Sequence, residues 1–150
     1  MISIILGHKG AGKTKRLISC VNEAIENSKG NVVCVEKETK LTYDVNYRAR
    51  LIATDDYDVK GYDAFYGFLA GICAGNHDIT DVLVDATLRI GGRDYNELAR
   101  FLESIYELSS KNEKDFVSGT FFLVAFQHEK DRLSAFLPLV CRFFCRLIVI

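Results

Sequence analysis

The sequence predicts an α/β protein with a mostly parallel central sheet flanked by helices. Short runs of apolar, mostly β-branched residues alternate along the chain with longer segments whose apolar residues recur at helical spacing. The apolar runs are continuous, as in parallel strands that are buried on both faces. With 150 residues, 49% of them hydrophobic, and a single proline, the chain suits one core, so we expect a single domain over residues 1–150.

The elements can be placed in order along the chain. The first strand is expected at Ile2–Leu6, followed by glycines and an amphipathic helix at Thr14–Asn27. Asp94 and Glu97 resemble a capping box, so a further helix should begin there. The other predicted elements are strands at Asn31–Val35, Arg50–Ala53, Asp81–Val84 and Phe121–Phe126, a helix at Gly61–Asn76, and a terminal strand or hairpin within 139–150.

Three glycines form a stripe on the predicted helix Gly61–Asn76. Gly67, Gly71 and Gly75 recur every four residues, although each costs up to about 1 kcal/mol relative to alanine inside a helix. A stripe of this kind lets another backbone approach closely. We expect it to pack tightly against the protein's own sheet, with a helix-mediated contact to a second copy or a protein partner as the alternative.

An octapeptide after the first strand matches the phosphate-binding pattern GxxxxGK[ST]. A loop that wraps a triphosphate needs glycines so that backbone N–H groups can point inward, and the following helix adds its unpaired N–H groups. The lysine supplies charge for the β- and γ-phosphates, and the threonine hydroxyl is a ligand for Mg²⁺. The predicted nucleotide-binding residues are Gly7, His8, Lys9, Gly10, Ala11, Gly12, Lys13 and Thr14.

A second acidic position is expected beside this loop. Asp85 ends the apolar run Val82–Val84, which is the form of a Walker B aspartate that holds Mg²⁺ through its water shell. The next residue is Ala86 and not glutamate, so the general base for a hydrolysis reaction must come from elsewhere. The sequence therefore predicts a metal site formed by Thr14 and Asp85.

The order of these features resembles the core of the RecA-like ATPases within the P-loop NTPase superfamily. This resemblance implies a three-layer fold with the RecA-like strand order. It also implies that Glu38 polarises the attacking water, that Glu36 is the second candidate, and that Gln127 senses the γ-phosphate. Lys13 completes the implied catalytic set.

Departures from the family limit what the resemblance implies. Only Thr87–Arg93 and His128–Pro138 occupy the places of the long DNA-binding loops of recombinases, which argues against strand exchange. Arg89 and Arg93 are the candidates for an arginine supplied to a neighbouring subunit. The chain is also similar to small stand-alone bacterial ATP-binding proteins labelled as twitching-motility proteins, but it lacks the N-terminal domain and the His- and Asp-rich boxes of the retraction motors.

Three functions remain open on the sequence. The first is a Mg-ATP-binding protein with slow or partner-stimulated hydrolysis. The second is a nucleoside-type kinase that uses Glu36, Asp55 or Asp56 as its base, and the third is a non-catalytic nucleotide sensor. No [NT]KxD signature of GTPases is present, which favours ATP over GTP.

The composition of the chain limits which binding partners and which cellular location we expect. Lys and Arg number 19 against 20 Asp and Glu, a balance that argues against nucleic acid as a constitutive ligand. The five cysteines form no CxxC pair, so we expect reduced structural thiols. The apolar tail 133–150 is interrupted by Pro138, Arg142 and Arg146, so no transmembrane segment is predicted and a cytoplasmic location is expected. Burial of this tail against a membrane or partner is the alternative to an internal strand.

Overall fold

All strand pairings in the central sheet are parallel. In a computed structural model, six strands lie in the order β3-β2-β4-β5-β1-β6. The structure describes residues 2–85, 87–111, 121–127 and 146–149, and only the backbone of Lys111 and of the last two strands. The elements are β1 (Ile2–Gly7), α1 (Lys13–Asn27), β2 (Asn31–Glu36), β3 (Arg50–Ala53), a 3-10 helix (Thr54–Tyr57), α2 (Tyr62–Gly75), β4 (Ile79–Val84), α3 (Thr87–Ile90), α4 (Tyr95–Lys111), β5 (Phe121–Gln127) and β6 (Arg146–Val149).

The α/β class and the parallel sheet flanked by helices are confirmed. The predicted strands lie within two residues of their expected bounds, and the terminal strand is present at Arg146–Val149. Two short elements were not predicted. The 3-10 helix contains the acidic pair after β3, and α3 occupies part of the segment that was expected to be a loop after Asp85.

Alternating side chains divide the core between the two faces of the sheet. On one face, Ile5, Cys34 and Leu83 pack with the buried stripe of α1. On the other face, neighbouring strand residues such as Ile4 and Val84 pack with α2 and α4. A strand that contributes side chains to the core on both faces of the sheet must be apolar at every position, which explains the continuous apolar runs. The buried residues of the α1 stripe are Leu17, Val21 and Ile25, and those of the α4 stripe are Leu98, Phe101, Leu102 and Ile105.

Helix α4 begins as its capping pattern predicts. The Asp94 carboxylate accepts hydrogen bonds from the backbone N–H groups of Asn96, at 2.8 Å, and Glu97, at 3.2 Å. These contacts satisfy donors that have no partner within the helix. The sequence therefore located this helix start correctly.

The expectation that the glycine stripe of α2 packs tightly against the sheet is wrong. A Cβ atom built on Gly67, Gly71 or Gly75 meets no described atom within 4 Å. Helix α2 instead buries the stripe that contains Phe65 and Leu69, and the glycines lie outside this buried stripe. The glycine stripe therefore borders open space within the described part of the molecule.

The described helices and cysteines can be compared with the expectations about a transmembrane segment and about reduced thiols. None of the helices in the described ranges combines the length and the apolar character needed to cross a bilayer. Cys34 and Cys73 are buried free thiols, as predicted, while Cys141 and Cys145 lie outside the described residues.

Candidate phosphate-binding site

The candidate site lies at the edge of the sheet where the parallel strands end. The register pairs Gly7 with Gln127 and Val35 with Val84, so the residues that follow β1, β2, β4 and β5 gather at this edge. Ligands of open parallel sheets commonly bind at this edge. The fold therefore brings the glycine-rich loop, Asp85, the Glu36–Glu38 segment and the end of β5 to the same side of the molecule.

The glycine-rich loop connects the buried strand β1 to the 15-residue helix α1. Gly10 and Gly12 both adopt φ of 84°, a left-handed conformation that disfavours other residues. No described atom lies within 4 Å of a Cβ built on either glycine. The loop is thus an exposed turn with room for a ligand against its backbone, and Gly12 is the N-cap of α1 without a capping side chain.

Lys13 folds back over this loop. Its ammonium group donates a 2.6 Å hydrogen bond to the carbonyl oxygen of His8, which is closed into a turn by the N–H of Ala11 at 3.2 Å. Partial burial lowers the pKa of Lys13, while the negative charge of Asp85 acts in the opposite direction. The cation is therefore held above the loop and within the electrostatic reach of Asp85.

Asp85 is anchored to the neighbouring strand. Its backbone N–H donates to the carbonyl oxygen of Val35 at 2.9 Å, and its side chain is half-buried. Burial is the main cause that raises the pKa of Glu36 and of Cys34, and the charge of Asp85 adds to both shifts. Asp85 thus contributes negative charge to the centre of this edge, between the glycine-rich loop and the Glu36 segment.

The oxygen donors suit magnesium better than a softer metal. The exposed hydroxyl of Thr14 follows Lys13 directly, and Asp85 acts electrostatically on Lys13, so both oxygens belong to the same part of the site. Carboxylate, hydroxyl and phosphate oxygens are hard ligands of the kind that Mg²⁺ takes together with water. Among the described residues no group of three or more His, Cys, Asp or Glu could hold a metal ion, so a metal here would depend on phosphate and water for its remaining ligands.

Glu36 stabilises the loop that follows β2. Its side chain is buried, and its carboxylate accepts hydrogen bonds from the backbone N–H groups of Lys40, at 3.1 Å, and Leu41, at 3.2 Å. Burial raises the pKa of Glu36, and these two hydrogen bonds oppose that shift. Both carboxylate oxygens are therefore engaged by the chain, which leaves this group poorly placed to orient a water molecule.

Glu38 lies in a small cluster with two cations. One carboxylate oxygen pairs with the ammonium of Lys40 at 2.7 Å, and the other pairs with the guanidinium of Arg89. The hydrogen bond from Lys40 is the main reason that the pKa of Glu38 is lowered, and the charge of Arg89 adds to the effect. Glu38 is thus ionised and partly exposed, but both of its oxygens already have partners.

The sequence suggested Arg89 as an arginine supplied to a neighbouring subunit, and Lys40 was not among the predicted site residues. The structure places both beside Glu38 of the same chain. Lys40 follows Glu38 by two residues, and this spacing was the available signal; nothing local could have paired Arg89 with a residue 51 positions away. For Gln127 the backbone lies at the end of β5 opposite Gly7, and its side chain is outside the described part of the structure, as is His128.

No protein-family model matches the chain, and no curated protein matches it either. The assignment of a function therefore depends on the geometry of the site and on the chemistry of its residues.

Proposed function

We propose that this chain is a P-loop protein that binds Mg-ATP through Gly7–Thr14 and hydrolyses it slowly or when a partner stimulates it. The observation that carries the proposal is the loop itself. Two left-handed glycines precede a 15-residue helix, and Lys13 is held above the loop by the His8 carbonyl, within the electrostatic reach of Asp85. Backbone N–H groups at a helix start and a fixed lysine are what the phosphates of a nucleotide require.

The strand order supports the RecA-like, three-layer interpretation. Strand β5 lies between β1 and β4, so the candidate sensor strand separates the phosphate loop from Asp85. Neighbouring strands are about 4.8 Å apart, so the ends of β1 and β4 are roughly 10 Å apart, which leaves width for a phosphate group and a hydrated metal over the end of β5. The helices on both faces of this sheet are consistent with the same interpretation.

Each residue has an expected role in binding. Lys13 would exchange its hydrogen bond to the His8 carbonyl for contacts with the β- and γ-phosphates. The hydroxyl of Thr14 and the carboxylate of Asp85 would hold Mg²⁺, which would neutralise charge on the phosphates when bound. The cytoplasmic location, the preference for ATP over GTP and the sensing role of Gln127 belong to this proposal as predictions.

The engagement of the two glutamates explains why slow turnover is proposed. Hydrolysis needs a positioned water molecule, and Glu36 and Glu38 both have their oxygens occupied within the chain. The same observation favours a second candidate function, a nucleotide sensor without turnover. The difference between the two lies in whether Glu38 is released from Lys40 and Arg89 when nucleotide binds.

Binding is tested with a fluorescent ATP analogue in the presence of Mg²⁺. A charge-assisted hydrogen bond contributes about 1.5–3 kcal/mol, so Lys13→Ala should weaken binding by roughly 10- to 150-fold. Lys29→Ala removes the same charge from an exposed position beyond the opposite end of α1 and should change the affinity by less than about threefold. Equal binding by wild type and Lys13→Ala, or no binding by wild type, would remove the basis of the proposal.

Turnover is tested by single-turnover phosphate release with Mg-ATP. Release that is lost in both Lys13→Ala and Glu38→Gln supports an ATPase that uses Glu38 as its base. Tight binding by wild type without release supports the sensor. Transfer of the phosphate to an added nucleoside and not to water would instead identify the kinase that the sequence leaves open.

A further inference from the structure

We infer that two copies of this chain associate through the outer edge of β3, with the two strands paired antiparallel about a two-fold axis. β3 is the last strand in the sheet order, and no described strand pairs with its outer side. The N–H and C=O groups on that side are therefore open within the described structure. Open sheet edges are surfaces on which proteins add a strand from another chain.

Charge identifies a second copy as the occupant. Arg48 lies in the turn before β3 and Arg50 is the first residue of the strand, whereas Asp55 and Asp56 lie in the 3-10 helix that follows it, and all four are exposed. Asp55 pairs with Lys37 at 3.3 Å, but no ion pair links Arg48, Arg50 or Asp56 to any described residue. The same edge thus carries unpaired positive charge at one end and unpaired negative charge at the other.

Only an antiparallel arrangement makes this edge complementary to itself. If two β3 strands pair antiparallel with Ile52 of one copy opposite Ile52 of the other, the arginines of each copy lie near the aspartates of the other. A parallel arrangement would place like charges opposite each other, which is destabilising. Because a two-fold contact repeats every interaction, the complementary charges would meet twice.

The middle of the edge is apolar and incompletely covered. Leu51 packs against the α1 side of the sheet and Ile52 against the α2 side, and both are only partly buried. Tyr43 and Tyr47 precede the strand along the chain and Tyr57 follows it, with exposed fractions of 99%, 94% and 60%. Exposed aromatic residues around an apolar strand are typical of surfaces that are buried on association.

The glycine stripe leaves room for the second copy on the α2 face. Gly71 and Gly75 line a cavity of about 410 Å³ that Arg48, Arg50 and Ile52 also line. No described atom occupies the space above these two glycines. A partner strand can therefore approach β3 without meeting α2, and the partner's Asp56 and Tyr57 would reach the arginines in this cavity.

The test is sedimentation velocity over a range of protein concentrations, without nucleotide. The wild type should show a species with twice the 16.9 kDa mass of the chain, and that species should dissociate as salt is raised. Arg48→Glu and Asp56→Arg should each weaken the dimer by about tenfold or more, because like charges then face each other twice. The double variant Arg48→Glu/Asp56→Arg should restore the dimer.

Two controls separate this inference from misfolding and from the nucleotide proposal. Arg100→Glu makes the same charge change on the exposed side of α4 and should leave the dimer intact. Lys13→Ala should also dimerise normally, because the glycine-rich loop is four strands away from β3. A wild type that stays monomeric at every concentration overturns the inference, as does a dimer that tolerates both single variants or a double variant that fails to restore it.

Discussion

Replacing Gly91 with alanine should destabilise the packing of α2 against the segment that follows Asp85. A Cβ built on Gly91 overlaps three carbons of the Tyr62 ring, the farthest of them at 2.5 Å. The ring cannot move freely, since Tyr62 is buried, packs against Phe101 with ring centroids 5.2 Å apart, and donates a 2.8 Å hydrogen bond to the Gly92 carbonyl. The backbone of Gly91 is not left-handed, so the cost arises from this overlap alone.

The magnitude follows from the two ways in which the overlap can be relieved. If the ring stays, overpacking a core site costs about 1–3 kcal/mol. If the ring moves, the aromatic contact and the hydroxyl bond are weakened, and each is worth about 1 kcal/mol. We therefore expect Gly91→Ala to lower the free energy of unfolding by about 2–3 kcal/mol, with Tm lower by roughly 5–10 °C for a chain of this size.

A double-mutant cycle in urea denaturation tests the physical cause. Tyr62→Ala removes the ring, so Gly91→Ala in that background should cost less than about 0.5 kcal/mol. Tyr62→Phe keeps the ring and loses only the hydroxyl, so the part of the cost that arises from overlap with the ring should remain there. If Gly91→Ala costs the same with and without the ring, steric overlap with Tyr62 is not the reason for this glycine.

Three further predictions concern titratable groups. Burial raises the pKa of Glu36 in the folded protein, so its contribution to stability is complete below the unfolded pKa and declines as pH rises through the folded value. In urea denaturation, Glu36→Gln should therefore lower the free energy of unfolding more near pH 4 than near pH 7. Burial raises the pKa of Cys34 to about 12, so denaturation at about pH 8 should raise its thiolate fraction on the order of a thousandfold. The rate of alkylation of Cys34, measured by mass spectrometry, should rise by the same factor, and equal rates in the folded and denatured protein would contradict this prediction. In an NMR titration, Lys40→Ala should raise the pKa of Glu38 more than Arg89→Ala does, and the reverse order would mean that Arg89 is its main partner.

Much of the fold could be predicted because its signals are local. Continuous apolar runs indicated the buried parallel strands, and the Asp94 cap marked the start of α4. Helix α2 shows where such signals fail. Apolar residues lie on most of its faces, so helical periodicity did not reveal which stripe faces the sheet, and the glycine stripe was assigned to the wrong side.

The candidate site was only partly predictable for a related reason. The residue types and spacing of Gly7–Thr14 are a local pattern, and the strand and helix around it were visible in the sequence. Which glutamate is free to act is not a local property. Glu36 accepts hydrogen bonds from the loop that follows it, and Glu38 pairs with Arg89 of α3, the helix that follows β4.

The sequence by itself determined the alternation of strands and helices, the glycine-rich loop between β1 and α1, and the acidic residue at the end of β4. Those features depend on side-chain periodicity and on the backbone freedom of a few glycines, which are properties of neighbouring residues. Only the tertiary structure decided the strand order, the pairing of Glu38 with Arg89 and the exposed outer edge of β3. These features depend on which distant segments the sheet brings together, and no short-range pattern encodes that choice.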